Sequence, residues 1–211
     1  SDPQFFPFLY NLGRVFVLLN LPENAIRVLE KARGVLHAFA GTHLLLGQAY
    51  ARAGDDRAAV VSFREASRRN RLDLAPLIAL GNFYVSRKDM TQARYYFDKV
   101  LEVRPEDANA RTGLGRILME KGDPMKARML LKEIPTENID GSERKDYDRA
   151  LHYYRAVLAT DLRDYGDAVR EYARLLKHPG DPFFLETNIK DIQRRREIVR
   201  RLAEASGSSL E

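Results

Sequence analysis

The chain contains no cysteine among its 211 residues, which excludes disulfides, thiolate metal sites and cysteine nucleophiles together. Reducing and oxidising compartments both tolerate that absence, so cytoplasm and periplasm stay open, with the cytoplasm slightly favoured. Tryptophan is missing as well. No apolar run is longer than Val15–Leu19, far short of the ~20 residues a bilayer-spanning helix needs. No signal-peptide pattern opens the chain, which reads as excised from something longer. Glycine-rich phosphate loops, the H-E-x-x-H helix and the nucleophile elbow are all absent. The four histidines, His37, His43, His152 and His178, share no metal-like spacing and read as core or half-buried side chains. Carboxylates such as Asp55-Asp56 and Glu106-Asp107 fall at turns or helix starts, where they cap and complement the helix dipole. No cofactor, metal or catalytic residue is expected from these patterns.

What is present is a well-solvated chain with ample core material, 45% hydrophobic and 31% charged. The net charge of +5 admits an acidic protein or a nucleic acid as partner, but 30 acidic residues are interspersed. An ordinary solvated surface is the better reading of that balance.

The dominant pattern is a repeat. Gly13, Gly47, Gly81 and Gly115 recur every 34 residues, and Ala25, Ala59, Ala93 and Ala127 follow each by twelve positions. Leu12, Leu46, Leu80 and Leu114 precede the glycines, and Phe16, Tyr50, Tyr84 and Leu118 come three residues after them. Leu29, Phe63, Phe97 and Leu131 lie four past each alanine. Such spacings of three and four define two amphipathic helices per unit. The first of each pair ends in a tight turn near Asn20, Gly54, Lys88 and Gly122. A mid-helix glycine costs about 1 kcal/mol relative to alanine. Its recurrence in phase predicts close approach of the second helix, with that helix's alanine at the crossing.

These residues resemble the tetratricopeptide repeat family. Leu46-Gly47-x-x-Tyr50 with Ala59, Phe63 and Ala66, and Leu80-Gly81-x-x-Tyr84 with Ala93, Phe97 and the closing Pro105, carry the resemblance. It implies an all-α, right-handed solenoid of about five units plus a C-terminal capping helix. The expected boundaries are 6–39, 40–73, 74–107 and 108–141, with a polar insertion to about 148, then a degenerate unit at 149–182. Residues 1–5 read as the tail of a preceding unit, 183–204 as the cap and 205–211 as a flexible tail. The fifth unit departs from the pattern, with Arg155 and Ala156 in place of Leu-Gly, although Ala168 and Tyr172 restore the phase. Pro135 to Asp146 is expected to form a polar connection containing Asp140-Gly141. The cap is expected to start at Asp181-Pro182, with Leu185, Ile189, Ile192 and Val199 as its apolar stripe.

The resemblance further implies that the first helices line a concave groove. Carried over position by position, that groove comprises Tyr10, Arg14, Val17, Leu44, Gln48, Arg52, Ile78, Asn82, Ser86, Thr112, Arg116, Glu120, Tyr153 and Val157, with Asp161 at its end. The polar row Arg14, Gln48, Asn82 and Arg116 suits the main chain of an extended segment, and Leu44, Ile78 and Tyr153 suit apolar anchors. The residues do not match the carboxylate-clamp pattern of co-chaperone repeats. The expected function is a non-enzymatic protein-interaction scaffold that holds an extended or helical segment of another protein and belongs to a larger assembly or tethering protein. Two alternatives stay open: a nucleic-acid-binding repeat using Arg68, Arg69, Arg71 and Arg194 to Arg201, or the targeting domain of a larger enzyme. The first helix is apolar nearly all round, through Phe5, Phe8, Leu9, Val15, Val17, Leu18 and Leu19, which predicts self-association through it.

Overall fold

A computed structural model of the chain describes residues 3–132, 134, 144–177 and 189–207. The expected tail at Ser1 and Asp2, the connection at 135–143, His178, the cap's start at Asp181-Pro182, Leu185, and Ser208 onward lie outside the described residues. The described residues form α-helices and short turns, with no strand among them. The chain divides into two compact units, Ser1–Val103 and Arg104–Glu211. The first holds α1 (Phe6–Leu18), α2 (Pro22–Val35), α3 (Ala40–Ala53), α4 (Asp56–Arg69), α5 (Ala75–Ser86) and α6 (Met90–Val103). The second holds α7 (Ala108–Glu120), α8 (Pro124–Lys132), α9 (Arg144–Asp161), α10 (Tyr165–Lys177) and α11 (Ile189–Ser206). In the first unit α1 pairs with α2, α3 with α4 and α5 with α6, while α2 packs on α3 and α4 on α5. In the second, α7 pairs with α8 and α9 with α10, and α11 closes against α10. Each unit is thus a stack of antiparallel helix pairs, the arrangement of an α-solenoid.

The recurring glycines are seats for large side chains. A Cβ built on Gly13, Gly47, Gly81 or Gly115 would come within 3.0 Å of Leu29, Phe63, Phe97 or Leu131 respectively. Those four residues of the second helices are at most 2% exposed. The expectation of an alanine at the crossing therefore needs correction. Ala25, Ala59, Ala93 and Ala127 are fully buried, but what enters the glycine notch is the large residue one turn further on. The reason is volume: a missing Cβ clears room for a ring or a leucine fork, more than an alanine methyl requires.

The turns between paired helices share one construction. Asn20, Gly54, Lys88, Gly122 and Arg163 all adopt the left-handed conformation, with φ from 55 to 85°. After four of them stands an aspartate whose N–H reaches back to the first helix: Asp55 to the Tyr50 carbonyl at 3.0 Å, Asp89 to Tyr84 at 2.9 Å, Asp123 to Leu118 at 3.0 Å and Asp164 to Ala159 at 2.8 Å. The same aspartate then caps the second helix, Asp55 Oδ1 accepting from the Ala58 N–H at 2.9 Å and Asp89 Oδ1 from Gln92 at 3.0 Å. One residue closes a helix and opens the next, which satisfies otherwise orphaned groups at both ends. Lys88 and Arg163 hold the left-handed position without glycine, a strain of roughly 1–2 kcal/mol each.

The fifth pair keeps this phase after its longer connection. Ala156 replaces the glycine and packs in one cluster with Ala159, Ala168 and Tyr172. Arg155, in the slot of the usual leucine, donates to the carbonyls of Leu131 (2.6 Å) and Ile134 (3.0 Å) and so closes the C-terminal end of α8. Helix α9 starts at Arg144, so residues 144–146 are helical where a polar connection was expected. No glycine or proline follows Gly141 in that stretch, and Glu, Arg and Lys propagate a helix well. In α11, Ile192, Val199 and Ala203 are buried, while Arg194, Arg195, Arg196, Arg200 and Arg201 are exposed.

Two histidines lie in the core. His43 Nε2 meets the His37 carbonyl at 3.0 Å, and burial outweighs that bond to lower the His43 pKa. His152 Nδ1 donates to Glu171 Oε2 at 2.5 Å, with both side chains 9% exposed, and Arg174 pairs with Glu171 at 2.7 Å. Burial alone would raise the Glu171 carboxyl. The His152 bond, with the charges of His152, Arg174 and Arg155, outweighs it and holds the group below its ordinary 4.5.

Two predictions follow from this packing. Gly47→Ala should lower the thermal midpoint, because overpacking against the Phe63 ring costs about 1–3 kcal/mol and exceeds the ~1 kcal/mol gain in helix propensity. Gly34→Ala, in α2 with nothing within 4 Å of its Cβ, should instead raise the midpoint; circular dichroism melts compare the two. Glu171→Gln should cost about 1.5–3 kcal/mol near neutral pH. Because the folded pKa of Glu171 is depressed, its contribution is present above 4.5 and is lost as pH falls through the lower folded value. Urea titrations of wild type and Glu171→Gln should therefore converge at acidic pH.

Candidate functional site

In the first unit the first helices are neighbours, α1 touching α3 and α3 touching α5. The 34-residue register places Arg14, Gln48 and Asn82 at equivalent points on these three helices. Arg14 and Asn82 are exposed and Gln48 is half-buried. Beside them lie Leu44 and Ile78, both half-buried; Leu44 packs against the core cluster of Phe63 and Leu80, and each keeps part of its apolar surface accessible. Tyr10 stacks on Phe6 at 5.9 Å and meets the edge of Phe39 at 5.2 Å. An aromatic wall therefore stands at the α1 end of this row.

Three of the expected groove positions in this unit serve the scaffold. Val17 is 3% exposed and belongs to the core cluster of Ala25, Leu29 and Leu46. Its carbonyl accepts a hydrogen bond from Arg52 Nη1, so Arg52 ties α3 to the end of α1. Ser86 Oγ donates to the Phe83 carbonyl of its own helix at 2.7 Å, although the residue is exposed. Val17 is therefore a correction: its position points inward because α2 brings Leu29 and Ala25 against that side of α1.

In the second unit α7 touches α9. Thr112 is a second correction, at 5% exposure, with its Oγ1 buried and lacking a hydrogen-bond partner. Arg116 is half-buried, lies 3.5 Å from the Glu120 carboxylate and 5.8 Å above the Tyr154 ring. Stacking and pairing hold its guanidinium in place, which reduces what is lost when it binds. Tyr153 and Val157 are half-buried on α9, and Asp161 is exposed at its end.

Sequence reasoning missed the arginines that join successive pairs. Arg87 forks Asp56, with Nη2 to Oδ1 at 2.6 Å and Nε to Oδ2 at 2.9 Å, and also donates to the Ala51 carbonyl at 3.1 Å. The Asp56 carboxyl is held below its ordinary range by that guanidinium bond. Arg128 reaches Asp164 in the second unit at 3.1 Å. Each links positions 31 to 36 residues apart, a separation that only a one-repeat offset would have suggested. Four of the eight arginines considered for nucleic acid are paired locally. Arg68 and Arg69 share Glu65 at 2.8 and 2.7 Å, and Arg200 and Arg201 share Glu197 at 3.4 and 3.1 Å. Among the described residues there is no cluster of His, Asp or Glu suited to a metal, and no helix long and apolar enough to cross a membrane.

Comparison with known proteins agrees with this architecture. Family models described as tetratricopeptide repeat match residues 44–102 and 84–140. The Protein CTR9 homolog of Arabidopsis thaliana is 28% identical over 72% of this chain, which spans only 16% of that protein's length. Among solved structures, the APC/C hetero-tetramer Cut9-Hcn1 superposes with a TM-score of 0.75 at 13% identity, covering 98% of this chain and 38% of its own. Pseudomonas aeruginosa pilF gives 0.70 at 18% identity, covering 97% and 85%. A thermophilic TPR protein of Thermus thermophilus gives 0.70 at 17% identity, covering 93% and 99%. At these identities the likeness is one of fold. Glycine seats and left-handed turns recur on the matched helices: residues 44–140 are tetratricopeptide repeats, a protein-interaction scaffold, and the same helical pairing is found in the described residues before and after them.

Proposed function

We propose that the first-helix face of the Ser1–Val103 unit holds an extended or helical segment of a partner protein. The observation that carries this reading is the row Arg14, Gln48 and Asn82 on three touching helices, polar and accessible, beside half-buried Leu44 and Ile78. Amide side chains can donate and accept at once, so they suit a main chain whose carbonyls and N–H groups alternate. In the second unit Arg116, Glu120, Tyr153 and Val157 offer a comparable mixture. The non-enzymatic reading is supported by what the polar groups do: they cap, hook and pair within the scaffold. Local neutralisation of Arg68, Arg69, Arg200 and Arg201 disfavours the nucleic-acid alternative, since phosphate binding needs unspent cationic charge. Membership of a longer assembly or tethering protein rests on the similarity to a short stretch of a much longer relative.

Self-association through α1 belongs to the same proposal. Phe8 and Leu18 are 62% and 64% exposed. Phe8 and Val15 lie in phase with Thr42 and Ala49 of α3, which are fully buried on a helix packed against α2. The α1 face thus has the character of an interior seam, and a second copy would cover it.

Two measurements test these readings. Pull-down of partners by wild type and by the Gln48→Ala, Asn82→Ala double variant should show about tenfold weaker recovery, from two hydrogen bonds worth about 0.5–1.5 kcal/mol each; unchanged recovery moves the site off this face. Light scattering across concentration should show wild type associating and Phe8→Ser, Leu18→Ser remaining monomeric. A strictly monomeric wild type rules out the α1 contact.

A further inference from the structure

A cavity of about 520 Å³, lined by none of the residues of the row just described, opens on the first unit between α4 and the C-terminal end of α5. Its apolar lining is Val60, Val61, Phe83 and Tyr84, with Val61 62% exposed. A volume of this size accommodates a large side chain together with part of its neighbour.

The rim is cationic and partly uncompensated. Arg87 is committed to Asp56 and lies over the Phe83 ring at 5.1 Å, which walls one end. Asp89 Oδ1 is committed to the Gln92 N–H. Asp56 is thus neutralised by Arg87, whereas Asp89, held by a neutral donor, keeps its charge; three arginines face two carboxylates, so Arg57 and Arg64 outnumber the one acid left unpaired. Arg64 donates Nε and Nη2 to the Tyr96 hydroxyl at 3.3 and 3.2 Å, a neutral acceptor that orients the guanidinium and leaves its charge unpaired. Tyr96 is in turn stacked on Tyr84 at 5.6 Å, so the support is rigid. Arg57 is exposed, and among the described residues no carboxylate pairs with it or with Arg64. On α4 the order Arg57, Val60, Val61, Arg64 follows the three-and-four spacing of one helix face. Cation, apolar floor and cation thus run along a single stripe.

We propose that this cavity is a second docking site, taking an acidic peptide segment that inserts one large apolar side chain between two carboxylates. Arg57 and Arg64 meet the carboxylates, and Val60, Val61, Phe83 and Tyr84 receive the apolar side chain. Orientation of Arg64 before binding lowers the ordering cost, and the net charge of +5 assists encounter with an acidic partner. The site is independent of the Arg14, Gln48 and Asn82 row.

Fluorescence anisotropy with a fluorescein-labelled peptide carrying one phenylalanine between pairs of glutamates tests the assignment on the full chain. Saturable binding is expected, weakened at least tenfold by Arg57→Glu, by Arg64→Glu and by Val61→Asp, and unaffected by Asn82→Ala. Replacing the peptide's phenylalanine by serine should abolish it. Arg57 has no partner to lose, so its variant folds normally and keeps the test valid even where Arg64→Glu perturbs Tyr96. The inference is overturned by absence of saturable binding, by full binding of Arg57→Glu, by equal affinity of the serine peptide, or by loss in Asn82→Ala. That last outcome would assign the peptide to the first-helix face.

Discussion

Everything in the stack depends on how closely two helices of a pair approach, and a missing Cβ sets that distance. Leu29, Phe63, Phe97 and Leu131 each occupy the notch left by a glycine on the partner helix. A mid-helix glycine sacrifices helix propensity, and a fully buried large side chain, at about 1.5–3 kcal/mol, more than offsets it. Burial of this kind is local in sequence, sixteen residues from notch to occupant, and the clusters it seeds continue into the next pair, Leu29 with Leu46 and Phe63 with Leu80. The fifth pair makes the same contact with Ala156 and Tyr172, at the cost of one methyl.

Polar chemistry then joins one pair to the next. An aspartate after four of the five left-handed turn residues ends one helix and begins another, and arginines near the ends of first helices reach the preceding turn. Arg52 on the Val17 carbonyl and Arg87 on Asp56 and Ala51 act in the first unit. Tyr50 adds a bond from its hydroxyl to Glu30 at 2.9 Å, and burial followed by that bond raises its pKa to about 12. So much of the polar inventory is engaged in register-keeping that the few uncommitted groups stand out. Asn82 and Arg14 on the first-helix face and Arg57 beside the α4 cavity are among them, and Arg64, bonded only to the neutral Tyr96 hydroxyl, keeps its charge.

The fold was legible because its causes are periodic. Glycine, alanine and the large residue four past it repeat on schedule, and so does the turn, down to Lys88 where no glycine announces it. The face of the first helices was legible only in part. The groove positions implied by the family resemblance put Val17 and Thr112 with Arg14 and Arg116, yet both are buried. Arg52 reads as a binding residue by position and works as a tie, because its reach of 35 residues ends on a backbone carbonyl that has no letter in the sequence. The cavity between α4 and α5 was not legible at all, since its lining comes from two separate helices and the turn after α5.

By itself the sequence determined the helical pairs, their turns and the seat residues of the core, since each follows from contacts within one repeat and from the spacing of small and large side chains. Tertiary structure alone decided which polar side chains remain free for another molecule. That choice turns on whether a neighbouring helix offers a carbonyl, a carboxylate or a ring within about 3 Å. Such an offer depends on packing across repeats, where residues distant in sequence compete for the same surface.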